Sequence, residues 1–408
     1  MIVQAETVDD VVAAVNFARK KGMKVTTRGG GHSMAACFLR DGGMLIDASR
    51  LDGIVVRKSS RQAAIGPGVI SSGLNERLQQ DGLAFPTAHC GTVPLGGFLL
   101  GGGVGMNTRA WSQGMSVFAL EGVDIVTADG KLRRANAKEN SDLFWAVRGG
   151  GPGLFGVVTR LYLKCYEAPG VIYGFTHTFA YKDFLDVVKA VDEVAPTLDK
   201  DIETLLFVAK GPSDERAVYL DVNAFATSSD EGKRKLERIA RHTVNSRTIA
   251  RDEDRKGSFD SYFVANEAAF PQTRWMGDNI WTDHPLDAVA IFERHTPDCP
   301  APKNTQLMLY RGDESMPDAA CSTRGRYYAA HYLEWSDAGD EASIRAYSTK
   351  VFGDLKRISN GSYINEMDQE GRSGDISTCY SPAAWSKLTA LRAKWDPTGV
   401  FHRFYGEV

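Results

Sequence analysis

VTTRGGGHSMAAC, residues 25–37, decides how this chain is read. An arginine, three glycines, a histidine and a serine follow an apolar strand. Consecutive glycines weaken a helix or a strand, so the segment is a loop in which bare backbone is wanted. Amides of such loops form concave nests for anions, and the missing side chains let a pyrophosphate come close. The competing reading is a tight turn with a buried histidine, and one glycine cluster leaves both open. Two more clusters follow, FPTAHCGTVPLGGFLLGGGVGMNTRAWSQG (residues 85–114) and RGGGPGLFG (148–156). Together they favour one extended anionic cofactor threaded through several loops.

Neither common phosphate template accounts for them. A P-loop needs GxxxxGK followed by serine or threonine, and the chain has none. GPGLFG (151–156) has the spacing of a dinucleotide fingerprint, but it runs into VVTRLYLK, which reads as a strand rather than a helix. That match is a chance hit or a turn.

Outward from the first glycine loop, the start of the chain reads as a βαβ unit. Ile2–Gln4 is a strand. Thr7 caps the next helix with Asp10 as capping-box partner, and Gly22 ends it. Met23–Thr27 and MLIDAS (44–49) are further strands. IVVRKSSRQAAIGPG and LEGVDIVTADGKLRRANA read as hairpins, with GVISSGLNERLQQDG as an amphipathic helix closed by Gly82. Glycine is dense before residue 110 and sparse between 175 and 355, which places a domain boundary near Pro169-Gly170. The middle segment alternates strands such as AVYLDVNAF with helices such as YKDFLDVVKAVDEV, an antiparallel sheet covered by helices. The last fifty residues hold GSYINEMDQEG and a helix stopped at Asp396-Pro397. The fold class is α+β.

Composition narrows the function. A chain of 408 residues exceeds one ordinary core. A net charge of −3 gives no case for nucleic acid. No apolar run approaches membrane-spanning length, so no membrane partner is expected. The start, MIVQAETVDD, has no signal-peptide pattern, and a cytoplasmic location is expected. The six cysteines are scattered without a CxxC pair, and there is no HExxH or acidic cluster, so neither a disulfide framework nor a metal site is expected. Cys90 is the cysteine whose surroundings point to chemistry. The oligomeric state is not readable.

TTRGGGHS, AHCGTVPLGGFLLGGGVG, VDIVTADG and NSDLFWAVRGGGPGLFGVVT, in that order, resemble the FAD-binding domain of the vanillyl-alcohol oxidase/para-cresol methylhydroxylase superfamily. SYINEMD and KWDPTGVFH resemble the C-terminal element of its berberine-bridge-enzyme-like branch. The resemblance covers about residues 2–168 and 360–402. It implies a two-part FAD-binding domain over residues 1–168, a small βαβ plus antiparallel strands with helices, with a shortened N-terminal part. It implies a substrate domain over 169–358 and a C-terminal element, 359–408, that returns to the FAD domain.

By motif match, the resemblance assigns FAD contacts to Arg28, Gly29, Gly30, Gly31, His32 and Ser33 in the first loop. It assigns Cys90, Gly91, Thr92, Gly96, Gly97, Gly101, Gly102, Gly103 and Gly105 in the second, and Gly156, Val157 and Val158 in the third. His32 takes the role of the covalent anchor to the flavin 8α-methyl group, and Cys90 that of a second bond at the flavin 6-position. Gly91 stands where the family usually has proline, and Pro94 where it usually has glycine, a departure in the loop that presents Cys90.

The implied reaction is hydride transfer to the flavin from a C–H next to a hydroxyl or amine of a sugar-like or natural-product small molecule, with molecular oxygen restoring the flavin. The protein supplies orientation and a proton acceptor. Tyr363 matches the tyrosine placed over the flavin. Its unperturbed pKa of about 10 demands a helping neighbour if it is the base, and a core tyrosine with a satisfied hydroxyl is the plainer reading. Asn365 completes the YxN motif and fixes geometry. Glu366, where an aromatic residue is common, is either a second acid/base group or a ligand for a backbone amide. Val93 matches the position that gates oxygen access, and its small side chain favours an oxidase. In RGRYYAAHYLEW, strand alternation sends Arg326, Tyr328 and Tyr332 to one face, a polar, aromatic substrate wall. The alternatives are a dehydrogenase with another acceptor, a covalent-FAD enzyme catalysing cyclisation or isomerisation, and a flavin-binding protein without catalysis.

Overall fold

The computed structural model describes residues 1–211, 213, 215–269 and 273–404. The chain divides into two units, residues 1–168 with 315–322 and 372–408, and residues 169–314 with 323–371.

The first unit begins with three parallel strands, Ile2–Gln4, Met44–Asp47 and Val25–Arg28 in spatial order. The helix Val8–Lys21 starts at a capping box, with the Asp10 amide donating to Thr7 Oγ1 at 3.2 Å and the Thr7 amide to Asp10 Oδ2 at 2.8 Å. Val11, Ala14, Val15 and Ala18 recur at helical spacing and are buried. Gly22 closes the helix at φ +67°, where a Cβ would be strained. The C-terminal motif read as KWDPTGVFH extends this sheet. The Val25 amide donates to the Val400 carbonyl and the His402 amide to the Val25 carbonyl. Asp396 organises that tail by accepting from the Val400 and Phe401 amides, at 2.6 and 2.9 Å.

A five-stranded antiparallel sheet follows, in the order Ile54–Arg57, Gln62–Ile65, Gly156–Lys164, Leu120–Thr127, Leu132–Asn136. The helix Ser71–Gln79 ends three residues before Gly82, so that glycine forms the following turn rather than the helix cap.

The second unit is a seven-stranded antiparallel sheet. Its order is Thr248–Gly257, Val171–Ala180, Arg216–Ala226, Ile202–Lys210, Lys303–Tyr310, Tyr327–Trp335, Arg274–Thr282. Strand alternation gives it two distinct faces. Phe175, Leu206, Leu220, Met308, Ile280 and Leu333 join one core with the helices Phe184–Val194, Pro285–His295 and Glu341–Leu355. In Phe184–Val194 the apolar stripe is Phe184, Val187, Val188, Val191 and Val194. Each such side chain contributes about 1.5–3 kcal/mol on full burial. Residues of the other parity, among them Asn279, Trp281, Tyr328 and Tyr332, take the opposite face.

The units differ from the expected segments in two places. Residues 359–371, expected to return with the C-terminal element, belong to the second unit. Asn360 and Gly361 exchange backbone hydrogen bonds with Trp281 at 2.7 and 2.8 Å, which fastens the segment to the strand Arg274–Thr282. Residues 315–322, expected in the substrate domain, belong to the first unit. Trp145 Nε1 donates to Asp318 at 2.7 Å, and the Cys321 amide to the Arg148 carbonyl at 2.8 Å. A Cβ on Gly149 would lie 2.1 Å from the Cys321 nitrogen, so the close approach requires glycine there.

Candidate active site

In the first unit, the glycine loop leaves the strand Val25–Arg28 at its C-terminal end. The amides of Gly29, Gly30, Gly31, His32 and Ser33 have no acceptor among the described residues. Five successive donors on a half-exposed loop, with Gly31 at φ +81°, are a nest for an anion. A diphosphate fits that donor set. Arg28 is less available than its sequence position suggests, because it pairs with Asp47 at 3.2 Å. Ser33 Oγ lies 3.6 Å from the Cys37 thiol.

The second loop sits against the first. A Cβ on Gly29 would be 3.0 Å from the Pro67 carbonyl oxygen, one on Gly96 2.7 Å from the same atom, and one on Gly30 2.3 Å from Pro94 Cγ. Gly97 is exposed, and a Cβ there would meet nothing within 4 Å. His32 Nε2 lies 3.4 Å from Thr92 Oγ1, so the exposed histidine adjoins the turn that carries the half-buried Cys90. The N-terminus of the helix Ser71–Gln79 holds that turn. Ser71 donates its amide and hydroxyl to the Val93 carbonyl at 3.0 and 2.9 Å. Ser72 does the same to the Gly91 carbonyl at 2.9 and 3.1 Å. Val93 itself is half-buried.

Other glycines have packing reasons. Gly102 and Gly103 have φ +118° and +81°, and their carbonyls accept from Val117 and Ser116. A Cβ on Gly105 would lie 2.2 Å from Ser116 Oγ, and one on Gly156 2.7 Å from Ile125 Cδ1. Gly101 is buried. Val157 and Val158 are buried in the strand Gly156–Lys164, paired with Val126 and Ile125. Burial pushes the thiols of Cys37, Cys165 and Cys321 up, the last two to about 12, so all three stay protonated at neutral pH.

In the second unit, the segment carrying Tyr363 is clamped by Asn279, which is fully buried. Asn279 Oδ1 accepts from the Tyr363 amide at 2.7 Å, and its Nδ2 donates to the Tyr363 carbonyl at 3.1 Å. One side chain thereby satisfies both backbone groups of the tyrosine, which buried backbone requires. Asn365 Nδ2 donates to the Tyr363 hydroxyl at 2.9 Å. A donor on a phenol oxygen stabilises negative charge developing there. Glu366 accepts on its Oε2 from the hydroxyls of Tyr328, at 2.5 Å, and Tyr332, at 2.6 Å. Its carboxylate is therefore bound by phenols rather than by a backbone amide. Burial, then Glu366, pushes the Tyr328 phenol well above its usual range and keeps it an O–H donor. The Tyr328 and Tyr363 rings meet edge to face at 6.2 Å.

Arg326 does not join Tyr328 and Tyr332. The strand begins at Tyr327, and the Arg326 guanidinium turns to Asp192 at 2.7 Å while its amide donates to Asp283 at 2.8 Å. Asp192 lies on the helix Phe184–Val194, which packs on the other face of the sheet. His331 also faces the helices, 2.9 Å from Ser348 Oγ.

Residues 1–136 match the family described as FAD binding domain. The chain is 26% identical over 401 residues to the FAD-linked oxidoreductase nodO of Hypoxylon pulicicidum, a match spanning 97% of this chain and 88% of that one. It is 24% identical over 432 residues to the glucooligosaccharide oxidase of Sarocladium strictum, spanning 96% and 84%. The solved structure of BBE-like 1 from Physcomitrella patens superposes with a TM-score of 0.86 at 20% identity, over 98% of this chain and 90% of that one. The chain is an FAD-linked oxidoreductase with the berberine-bridge-like fold.

Sequence reasoning about this oxidoreductase missed Ser71, Ser72 and Asn279. The serine pair opening a helix after PGVI was a visible signal for the first two. Asn279 carried none, since its task is set by the segment folded against it. No metal-binding cluster and no helix long and apolar enough to cross a membrane occur among the described residues.

Proposed function

We propose that the protein is an oxidase that carries FAD covalently on His32 and Cys90 and oxidises a small molecule at a C–H next to a hydroxyl or amine. Bound FAD supplies a two-electron acceptor that takes up the hydride and passes both electrons to oxygen, giving hydrogen peroxide. The amides of Gly29–Ser33 bind the pyrophosphate, and Gly97 leaves room for it. Thr92 orients the His32 ring, while Ser71 and Ser72 hold the turn that presents Cys90. Val93 keeps the path for oxygen open. Tyr363, once its phenol has released its own proton to solvent, takes the substrate proton at the phenolate oxygen, to which the Asn365 side-chain amide donates. Glu366, through Tyr328 and Tyr332, holds the wall beside it.

The observation that carries this reading is the run of five unpartnered amides ending beside His32. The glucooligosaccharide oxidase relative supports oxidation of a hydroxyl-bearing substrate.

Acid precipitation of the purified protein tests it. Flavin stays with the chain, and peptide mass spectrometry finds it on His32 and Cys90. His32→Ala leaves one bond and Cys90→Ala the other. Flavin released wholly into the supernatant removes the covalent assignment. Peroxide formed in step with oxygen consumption supports the oxidase. Slow reoxidation in air points to a dehydrogenase with another acceptor, and product without net oxygen uptake to a cyclase or isomerase.

A further inference from the structure

Glu366 is half-buried, and its two oxygens are unequally used. Oε2 accepts both phenol hydrogens, while Oε1 has no partner among the described residues. No lysine or arginine among the described residues pairs with it either. Arg345, on the helix Glu341–Leu355, is committed to Glu341, Asp368 and Glu370, and Arg326 to Asp192. The two phenols that hold the carboxylate belong to an aromatic cluster. Tyr332 meets Trp275 at 6.4 Å between ring centroids, and Tyr328 meets Trp281 at 5.2 Å and Tyr363 at 6.2 Å. Ring faces are electronegative. The site therefore presents a carboxyl group that two phenols hydrogen-bond and that no lysine or arginine among the described residues meets.

Charge withdrawn from water is costly until a counter-charge meets it. A neutral hydroxyl donated to Oε1 completes a hydrogen bond and leaves the charge. A protonated amine does both, through a charge-assisted hydrogen bond and attraction to the neighbouring rings. We infer that Glu366, held by Tyr328 and Tyr332, is the recognition site for an ammonium group on the substrate. The inference rests on the oxidoreductase reading above and narrows it. The ammonium is a handle and not the reacting centre. A protonated nitrogen has no lone pair to assist hydride loss from its own carbon, so the oxidised C–H lies elsewhere in the same molecule.

Calorimetric titration of the flavin-loaded enzyme with tyramine and with tyrosol tests this. The two probes share one frame and differ in ammonium against hydroxyl. Near pH 7 tyramine is cationic and binds about ten- to hundredfold more tightly. Glu366→Gln removes the preference. Tyr328→Phe keeps the carboxylate and most of the preference. Where Glu366→Gln does not fold, Glu366→Asp, which draws the charge back by one methylene, shrinks the preference instead. Equal affinities, a preference for tyrosol, no binding of either probe at millimolar concentration, or a preference unchanged by substituting Glu366 overturns the inference. A protein that carries no flavin overturns the oxidase reading instead, and that is measured without either probe.

Discussion

The glycine loops of the first unit and the tyrosine–glutamate cluster of the second solve opposite problems. The loops offer backbone. Their chemistry is the N–H groups of Gly29–Ser33, and side chains are mostly in the way. The cluster offers side chains. Its backbone is silenced, as Asn279 occupies both polar groups of Tyr363 so that only the phenol is presented. A backbone site is written in consecutive residues. A side-chain site is assembled from segments far apart: Trp275–Trp281, Tyr328–Tyr332 and Tyr363–Glu366. The two sites should therefore fail in different ways, one by losing cofactor and the other by losing rate.

The largest expected effect is in the first unit. Gly30→Val drives a side chain into Pro94, whose Cγ would lie 2.3 Å from the new Cβ, and the loop must deform. Flavin content, read by absorbance, falls to near zero, while the thermal stability of the second unit is kept. Retention of full flavin content would show that the cradle tolerates side chains and that the contrast is false.

Next is Tyr363→Phe, which removes one hydroxyl and keeps the ring. Flavin content stays normal, and anaerobic flavin reduction slows by about 10²–10⁴-fold. Reoxidation by oxygen is unaffected. Loss of flavin in this variant would break the separation of roles. An unchanged reduction rate would transfer the base to Glu366.

Asn279→Ala takes away the side chain that accepts from the buried Tyr363 amide, at a cost of roughly 1–3 kcal/mol, while the Tyr363 carbonyl keeps the Glu366 amide at 3.2 Å. Thermal unfolding monitored at the second unit drops accordingly, with flavin content again normal. A change within experimental error would mean that water or relaxation replaces the clamp.

The smallest effect is pH-dependent. Burial alone would raise the Asp283 carboxyl, but the Arg326 amide, the Asn360 side chain and the Arg326 charge bring it below the usual 3.8. A carboxyl depressed in the folded state adds stability above its unfolded value and loses it as pH falls through the folded value. Asp283→Asn thus destabilises at neutral pH and does so less at acid pH, once the carboxyl is protonated in the folded state as well. Equal destabilisation at both pH values would assign the effect to lost packing.

The same contrast explains what was legible in the sequence. The capping box at Thr7 and Asp10, the turn at Gly22 and the glycine loops were readable because their causes lie within a few residues. The junction after Ala168 follows a shift in glycine density. The eight residues 315–322 gave no sign of their place, because the Trp145–Asp318 bond joins positions 173 apart. Alternation placed Tyr328 and Tyr332 together but carried Arg326 with them, since it could not register where the strand begins or the pull of Asp192 from a helix. For Glu366 it offered a second acid/base group or a ligand for a backbone amide, and the phenol partners come from a strand whose register only the sheet defines.

Gly30 and Pro94 also tie two histories together. While proline stands at 94, position 30 is closed to any side chain. With a smaller residue at 94 it is open. Whether a given change at 30 is harmful or neutral therefore has no answer until 94 is specified. Descendants of this chain can diversify position 30 only after position 94 has changed, and the reverse order passes through a loop forced against the Pro94 ring. A scan of single substitutions would score Gly30 as immutable. A scan repeated on the Pro94→Gly background would measure how much of that rigidity belongs to its neighbour.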